Sequence, residues 1–404
     1  MRYLVEFAPN RQEEVYRQLK ALGLRPTKKV IGKYWSVEIP TELVSKVEAL
    51  PGVIRVVKEE TYSISMLPVE AKLKTFLRLG GPTNPIAMAW VTAMGLIKDR
   101  WPTSESRKVL EAHVADKMGI NGKGVNVAVL DTGVDIANPQ VIEPIYSVST
   151  VDGDPIPIDN NGHGTWCIAC IGGRQYRSPW GLLEGVAKGV ELGSFKCLGY
   201  GIGSGSTSDV MEAIAAAYNW GAKIISMSLG SDIEPKESHN PETCPLCSLI
   251  TALSNRGVIF CIAAGNSGKG YASCPGASPG AITVAALKKN LTVADFSSRE
   301  HEVYLSLNKP DVGAPGVDTG ASSTGLIAAM EWMDGFKTAF ISGTSMATPG
   351  ISGLLALWAE YARKKGVELT KETAMDIIKT YGKEWRSDIG YGVPKFSWIV
   401  DYLR

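Results

Sequence analysis

The serine at position 345 stands in a turn that leads directly into a helix of small and apolar residues. Segment 341–349 reads ISGTSMATP, and the helical pattern continues over 350–361. A hydroxyl in the first turn of a helix lies beside unpaired N–H groups and the positive end of the helix dipole. This position suits a serine that attacks a carbonyl and then needs its developing negative charge stabilised. An ordinary N-cap explains Ser345 equally well unless a base and an acid occur elsewhere in the chain.

A candidate acid and a candidate base both occur, each at the end of a predicted element. The apolar run 125–130 (VNVAVL) is typical of a strand buried on both faces, and Asp131 follows it directly. His163 lies between two glycines in NGHGT, where another helix begins. The chain has four histidines, and the other three lack a glycine-rich, helix-opening context. An imidazole can take and return a proton near neutral pH, so His163 is the predicted base for Ser345.

Four separate segments resemble the motifs of the subtilisin-like serine proteases, the subtilases. They read VLDTGVD at 129–135, NGHGTW at 161–166, AAGNSG at 263–268 and GTSMATP at 343–349. The order of the acid, the base and the serine along the chain is also that of subtilisin. The resemblance runs from about Ala112 to the C-terminus. It implies a serine endopeptidase that works through an acyl-enzyme.

The resemblance also implies a role for each candidate residue. Ser345 is the expected nucleophile, and Asp131 is expected to orient the imidazole of His163 and to stabilise its charged form. Asp135 is the alternative acid, but Asp131 is preferred because it ends the strand and matches the family's DTG motif. The side-chain amide of Asn266 and the backbone N–H of Ser345 are the expected oxyanion donors. This chemistry requires no cofactor.

Two glycine-containing segments resemble the two edges of the family's substrate groove. A peptide would add between them as an extended strand, bound largely through backbone hydrogen bonds. The first pocket is expected near segment 272–274. No acidic residue is evident there, so we expect no strong preference for Lys or Arg. The expected substrate-binding residues are Gly199, Gly201, Gly203, Ser228, Leu229, Gly230 and Ser273.

Helix and strand patterns alternate after Ala112, which favours an α/β fold with a parallel sheet covered by helices. The resemblance makes this a doubly wound, mostly parallel, subtilisin-like sheet in a catalytic domain at 112–404. Strands are predicted at 125–130, 191–197, 223–228, 258–263 and 281–286. Helices are predicted at 164–172, 207–219, 246–255, 345–361 and 370–380. Reacting groups are then expected outside the carboxyl ends of the strands.

Residues 1–66 predict the order β-α-β-β-α-β of a small ferredoxin-like α+β module. Placed before a subtilase domain, the module resembles the family's inhibitory propeptide, whose tail lies in the active-site cleft. Counting from its last strand puts the processed bond between Met66 and Leu67. Segment 67–111 is longer than the family's usual connection. We favour a surface extension packed on the catalytic domain, with a lid or a partner-docking element as the alternative.

Composition limits the possible partners and says little about the compartment. The 404 residues suffice for one large and one small domain, and a formal net charge of +1 gives no electrostatic case for nucleic acid. No apolar run approaches the roughly 18 residues of a membrane span. The N-terminus lacks the pattern of a signal peptide, so we expect a protein that stays inside the cell or one whose signal was trimmed. Proteins or peptides are the expected substrates.

The seven cysteines are an odd number, so they cannot all pair with one another. Cys167 and Cys170 are predicted to be small buried hydrophobic residues. Cys244 and Cys247 allow a local disulfide, a redox pair or half of a metal site. Without a second pair at metal spacing zinc is disfavoured, and we expect no metal among the site residues.

The family's usual strong calcium loop corresponds here to residues 173–180. That segment contains two arginines and no carboxylate, whereas calcium prefers oxygen ligands. We therefore expect the strong calcium site to be missing. A weaker structural calcium site remains open at 152–154 or at Asp159.

Two other functions remain open. A catalytically silent protein with the subtilase fold would bind peptides without cutting them. A narrow-specificity processing protease would use segments 67–111 and 231–247 to restrict access to its groove. Reaction with a serine-directed phosphonate distinguishes the silent protein, and a peptide-library cleavage profile distinguishes broad from narrow specificity.

Overall fold

The computed structural model describes the chain with a few gaps. The described residues are 1–64, 100–231, 240, 241, 243–268, 272–299, 308–328, 335 and 337–404. The predicted processing bond between Met66 and Leu67 lies outside them, as does most of the predicted extension 67–111. The domain limits at 66 and 111 therefore stay predictions.

The elements are numbered here in chain order. The strands are β1 (Arg2–Phe7), β2 (Pro26–Val30), β3 (Tyr34–Glu38), β4 (Val53–Lys58), β5 (Thr61–Ile64), β6 (Trp101–Pro102), β7 (Asn126–Asp131), β8 (Tyr146–Ser149), β9 (Tyr176–Ser178), β10 (Gly181–Leu183), β11 (Glu191–Lys196), β12 (Ser204–Ser206), β13 (Ile224–Met227), β14 (Leu229–Ser231), β15 (Ile259–Ala263), β16 (Ala281–Leu287), β17 (Val312–Pro315), β18 (Thr319–Ser322) and β19 (Thr338–Ile341). The α-helices are α1 (Gln12–Ala21), α2 (Val44–Glu48), α3 (Thr103–Val109), α4 (Ala112–Lys117), α5 (His163–Gly172), α6 (Thr207–Trp220), α7 (Pro245–Ser254), α8 (Gly325–Ala328), α9 (Thr344–Lys364), α10 (Lys371–Tyr381) and α11 (Phe396–Tyr402).

Seven strands form a parallel sheet in the order β17-β16-β15-β13-β7-β11-β8. From β7 the chain first builds β8 and β11 on one side and then β13 to β17 on the other. The carboxyl ends of β7 and β13 therefore flank the point where the strand order reverses. Ligand sites of open α/β sheets lie at such points. The doubly wound α/β fold class is confirmed.

Strand β7 is buried on both faces because helices cover both sides of the sheet. Its Val127 and Val129 pack in one cluster with α5 and α9, while Ala128 and Leu130 pack in a second cluster with α6 and α7. This alternation follows from the period of two in a strand and explains the continuous apolar run. No helix in the described parts of the chain is both long and apolar enough to cross a membrane.

The N-terminal strands form an antiparallel sheet in the order β2-β3-β1-β4, with α1 and α2 between them in the chain. Side chains of β1 alternate between two cores. Val5 and Phe7 pack with Val15 and Leu19 of α1. Leu4 points the other way, into the cluster that contains α6. The N-terminal sheet therefore packs against the larger α/β unit through its second face.

Strand β5 follows the N-terminal sheet and joins the larger unit. It is the middle strand of a three-stranded antiparallel sheet, between β12 and β14. Ser63 lies opposite both Ser204 and Gly230, and Ile64 lies opposite Leu229. The segment just after the N-terminal sheet thus occupies the space between the two expected groove edges.

Glu360 of α9 stabilises the turn that precedes β7. Its Oε2 accepts the backbone N–H groups of Asn121, Gly122 and Lys123 at 2.8, 2.7 and 3.2 Å, and its Oε1 pairs with Lys364 at 2.7 Å. Burial alone would raise the pKa of the Glu360 carboxyl. The ammonium of Lys364 and the N–H groups of the turn outweigh burial, so the pKa lies below its ordinary value.

We expect Glu360→Gln to lower the free energy of unfolding by about 1–3 kcal/mol at neutral pH, because charge-assisted hydrogen bonds are lost. A lowered carboxyl pKa stabilises the fold above the unfolded pKa, and this contribution disappears as pH falls through the folded pKa. The difference between wild type and variant should therefore shrink below about pH 4 in denaturant titrations. Glu368→Gln, which breaks an exposed pair with Lys223, is the control. An equal loss in both variants would contradict this role of Glu360.

Candidate active site

The carboxylate of Asp131 and the imidazole of His163 form a buried pair at the carboxyl end of β7. His163 Nδ1 lies 2.8 Å from Asp131 Oδ1, and the two side chains are 0% and 1% exposed. Because an ionised carboxylate only accepts, Nδ1 carries the proton and Nε2 has its lone pair available. His163 Nε2 is buried and has no hydrogen-bond partner within the described residues. The imidazole is thus held in the tautomer that a general base requires.

Two glycines beside His163 allow close backbone contacts at the start of α5. A Cβ on Gly164 would collide with the carbonyl oxygen of Gly133. Gly162, which caps α5, has φ +110°, and a Cβ there would collide with the carbonyl of Thr324. Gly164 therefore allows the close packing that brings His163 within reach of Asp131, while Gly162 packs against the segment before α8.

Asp159 is a positioning residue whose role the sequence did not indicate. Its Oδ1 accepts hydrogen bonds from Thr132 Oγ1, Asn161 N and Gly162 N at 2.9, 3.0 and 2.8 Å. Its Oδ2 accepts from the N–H and the hydroxyl of Thr165 at 2.8 and 2.6 Å. Asp159 therefore fixes the loop before His163 to the residue after Asp131.

Ser345 lies in the first turn of α9, but its hydroxyl does not bond to His163. The Ser345 hydroxyl donates to the carbonyl of Ser228 at 2.8 Å, and the Ser228 hydroxyl donates to the carbonyl of Ser345 at 3.0 Å. Ser228 directly follows β13, whose Met227 lies opposite Leu130, so Ser228 stands next to Asp131 in the sheet. The three candidate residues therefore converge on one strand end. The expected hydrogen bond between Ser345 and His163 is not formed here, because the hydroxyl is turned toward the backbone.

Asn266 follows β15 and its side chain is tied to α9. Its Oδ1 accepts from the N–H and the hydroxyl of Thr344 at 2.9 and 3.0 Å. The Thr344 hydroxyl in turn accepts from Gly265 N at 3.1 Å. With its oxygen fixed beside the residue before Ser345, the amide has its NH₂ left to donate. That NH₂ has no partner among the described residues.

Of the expected groove residues, Gly203, Leu229 and Gly230 contact β5. Ile64 N donates to Gly203 O at 3.3 Å, and Leu229 and Gly230 pair with the opposite side of β5. Gly199 and Gly201 lie in the turn that leads into this edge: Gly199 N donates to Ser204 O, and Gly201 O accepts from Asn161 Nδ2. They do not pair with β5.

Ser273 lies beside the oxyanion loop. Its backbone N–H donates to Ala264 O at 2.9 Å, and a Cβ on Gly265 would clash with its hydroxyl. That hydroxyl is buried and has no hydrogen-bond partner in the described parts of the chain. Ser273 therefore packs against the backbone that leads into Asn266.

Cys167 and Cys170 are both buried in α5, as predicted. Cys167 Sγ lies 3.8 Å from His163 Nδ1. Burial raises the pKa of the Cys167 thiol well above its ordinary value, and the carboxylate of Asp131 adds to the shift. Cys167 is therefore a neutral thiol beside the imidazole.

The carboxylates considered for a weak calcium site already face groups of the protein. Asp154 pairs with Lys196 at 2.9 Å, and Asp152 pairs with Arg2 at 3.1 Å. Both oxygens of Asp159 accept the hydrogen bonds described above. These contacts give no support for calcium at those positions.

Comparison with known proteins identifies the family. The chain matches the subtilase family over residues 122–392. Serine protease AprX of Bacillus subtilis is 33% identical over 290 residues, which is 67% of this chain and 63% of AprX. An alkaline protease of Alkalihalobacillus alcalophilus is 32% identical over 327 residues, 79% of this chain and 78% of that protein. Subtilisin Savinase of Lederbergia lenta is 35% identical over 248 residues, which is 61% of this chain and 81% of Savinase. The chain belongs to the subtilase family of serine endopeptidases.

We expect Asp159→Asn to lower the free energy of unfolding by about 2–3 kcal/mol, because an amide NH₂ would face buried N–H and hydroxyl donors. Chemical denaturation of chains that also carry Ser345→Ala, which removes the candidate nucleophile, measures this loss. Asp295→Asn is the matched control, since that side chain is 91% exposed. It should change stability by no more than about 0.5 kcal/mol. Similar losses in both variants would contradict the role assigned to Asp159.

Proposed function

We propose that the protein hydrolyses peptide bonds with Ser345 as nucleophile, His163 as general base and Asp131 as the orienting carboxylate. The Ser345 hydroxyl turns from the Ser228 carbonyl toward His163 Nε2, gives up its proton there and attacks the substrate carbonyl. His163 then protonates the leaving amine, and water releases the acyl group by the same steps. The buried pair of His163 and Asp131, with Nε2 left open, is the observation that carries this proposal.

The negative charge of the tetrahedral intermediate falls on the oxygen of the attacked carbonyl. We assign its stabilisation to the NH₂ of Asn266 and the backbone N–H of Ser345. Two contacts support the assignment: Thr344 fixes the amide oxygen of Asn266, and Ser345 lies in the first turn of α9, whose N–H groups lack helical acceptors. Donors held in place before the reaction need no reorganisation when the charge forms.

We further propose that the protein is made as a self-inhibited precursor. Strand β5 lies between β12 and β14, where a substrate strand would bind, and it pairs with both edges through its backbone. Its last residue, Ile64, is two positions before Met66 and lies opposite Leu229, which follows Ser228. The chain therefore enters the site just before the predicted processing bond between Met66 and Leu67.

Substrates in this proposal are proteins or peptides in extended form. The pairing of β5 with Leu229 and Gly230 supports binding through the substrate backbone, which tolerates many side chains. The N-terminal module acts as the intramolecular inhibitor until it is cleaved off. No part of this mechanism uses a cofactor.

We expect purified Ser345→Ala protein to remain a full-length chain, while the wild type separates after Met66. Mass spectrometry after incubation shows whether the chain is cut, and N-terminal sequencing should give Leu67. A mature start near Trp101 would mean that the bond is assigned wrongly.

Ser342→Ala is the matched control, because Ser342 lies in the same segment but its hydroxyl faces Asp318. This variant should process like the wild type. Self-processing of pure Ser345→Ala protein would contradict the assignment of the nucleophile. A full-length wild-type chain that also fails to cut peptides would favour the silent binding protein.

A further inference from the structure

Three cysteines from two separate parts of the chain meet behind the groove edge. Cys274 Sγ lies 3.8 Å from Cys244 Sγ and 3.6 Å from Cys247 Sγ, and all three sulfurs lie within 4.8 Å of one another. All seven cysteines of the chain fall in the described residues, and none forms a disulfide. Of the three clustered cysteines, only Cys244 and Cys247 lie close together in the sequence. Folding brings Cys274 beside them.

The distances between the sulfurs fit a metal ion with tetrahedral coordination. Two thiolates bound to zinc at about 2.3 Å with a tetrahedral angle lie about 3.8 Å apart. The separations of Cys274 from its two neighbours match that value, whereas a disulfide requires about 2.0 Å. The hydroxyl of Tyr62 in β5 lies 3.6 Å from Cys274 Sγ. An oxygen ligand at about 2.0 Å from the same ion would lie about 3.5 Å from each sulfur.

We propose that Cys244, Cys247 and Cys274 bind one Zn²⁺ ion, with the fourth position at the hydroxyl of Tyr62. Three thiolates favour zinc over harder cations such as calcium or magnesium. Each thiol loses its proton to solvent as the ion binds. Three protein ligands with a fourth position open to an oxygen ligand are an established zinc geometry.

The backbone around the cysteines is fixed by other contacts. Cys244 precedes α7 and Cys247 lies in its first turn, so both are held at the start of a ten-residue helix. The carbonyl of Cys247 accepts from Thr251 and Ser278 at 2.9 and 3.1 Å. The carbonyl of Cys274 accepts from Ser231 N at 2.7 Å. Ser231 ends β14, so the proposed site is tied directly to an edge of the groove.

Solvent reaches the cluster at Cys244, whereas Cys247 and Cys274 are buried. Cys244 is partly exposed and lines a cavity of about 220 Å³ together with Tyr62 and residues of β4 and α6. Because Tyr62 belongs to β5, bound zinc would join the N-terminal segment to the α/β unit. Any effect of the ion on inhibition rests on the proposed role of β5, whereas the metal site itself does not.

The test uses the full-length chain with Ser345→Ala, reduced and freed of metal with a chelator. Titration with Co²⁺ should give one ion per chain, with the absorption bands of tetrahedral thiolate coordination, and Zn²⁺ should displace it. Cys274→Ser should weaken Zn²⁺ binding more than about 100-fold, beyond the loss typical of a residue that only orients a ligand. Cys170→Ser, which removes a buried thiol elsewhere, should bind as tightly as the parent chain. Tyr62→Phe should bind more weakly with all three thiolates intact.

Several results would overturn the proposal. One is a reduced chain that takes up no stoichiometric Zn²⁺. Another is an affinity that neither Cys274→Ser nor the partly exposed Cys244→Ser lowers; the second variant guards against misfolding of the first. Unchanged affinity in Tyr62→Phe would overturn the fourth position. None of these measurements requires peptide hydrolysis, so failure of the zinc site is distinct from failure of the proposed protease function.

Discussion

The hydrogen bond between His163 Nδ1 and Asp131 Oδ1 is the interaction on which the rest of the site depends. It forms where the loop after β7 and the start of α5 touch backbone to backbone, which the absence of a side chain on Gly164 allows. Asp159 then locks both segments with its two carboxylate oxygens. The parallel sheet sets this position, because β7 ends where the strand order reverses and leaves space above the strand ends. The topology of the sheet therefore determines where the proposed catalytic residues lie.

Strands β12 and β14 belong to a separate three-stranded sheet, in which β5 is the middle strand. Strand β5 pairs with β12 and β14 by backbone hydrogen bonds, so this pairing does not require particular side chains. Side chains of β5 also contact the α/β unit. Tyr62 is buried against Cys274, and Ile64 lies beside Gly203. The N-terminal sheet supports β5 by packing Leu4 into the core that contains α6. The proposed inhibition would follow from ordinary strand pairing.

The sequence predicted the parts of the fold that bury continuous apolar runs. The five central strands and the helices that begin at Thr207 and Lys371 lie within a few residues of their predicted limits. The edge strands β8 (YSVS) and β17 (VGAP) were missed, because short strands rich in polar residues, glycine or proline have no distinctive period. The three candidate catalytic residues came from motifs. The direction of the Ser345 hydroxyl, the hydrogen bonds of Asp159 and the meeting of Cys274 with Cys244 depend on tertiary contacts that no local pattern contains.

We propose that one serine, activated by one imidazole, performs the chemistry. The most direct test of this proposal is reaction of the processed protein with a fluorophosphonate, followed by peptide mapping of the adduct. We expect one adduct per chain, on Ser345. Labelling should be lost in a His163→Ala chain whose N-terminal segment has been removed by an added protease. Labelling of a different residue, or unchanged labelling without the imidazole, would contradict the proposal.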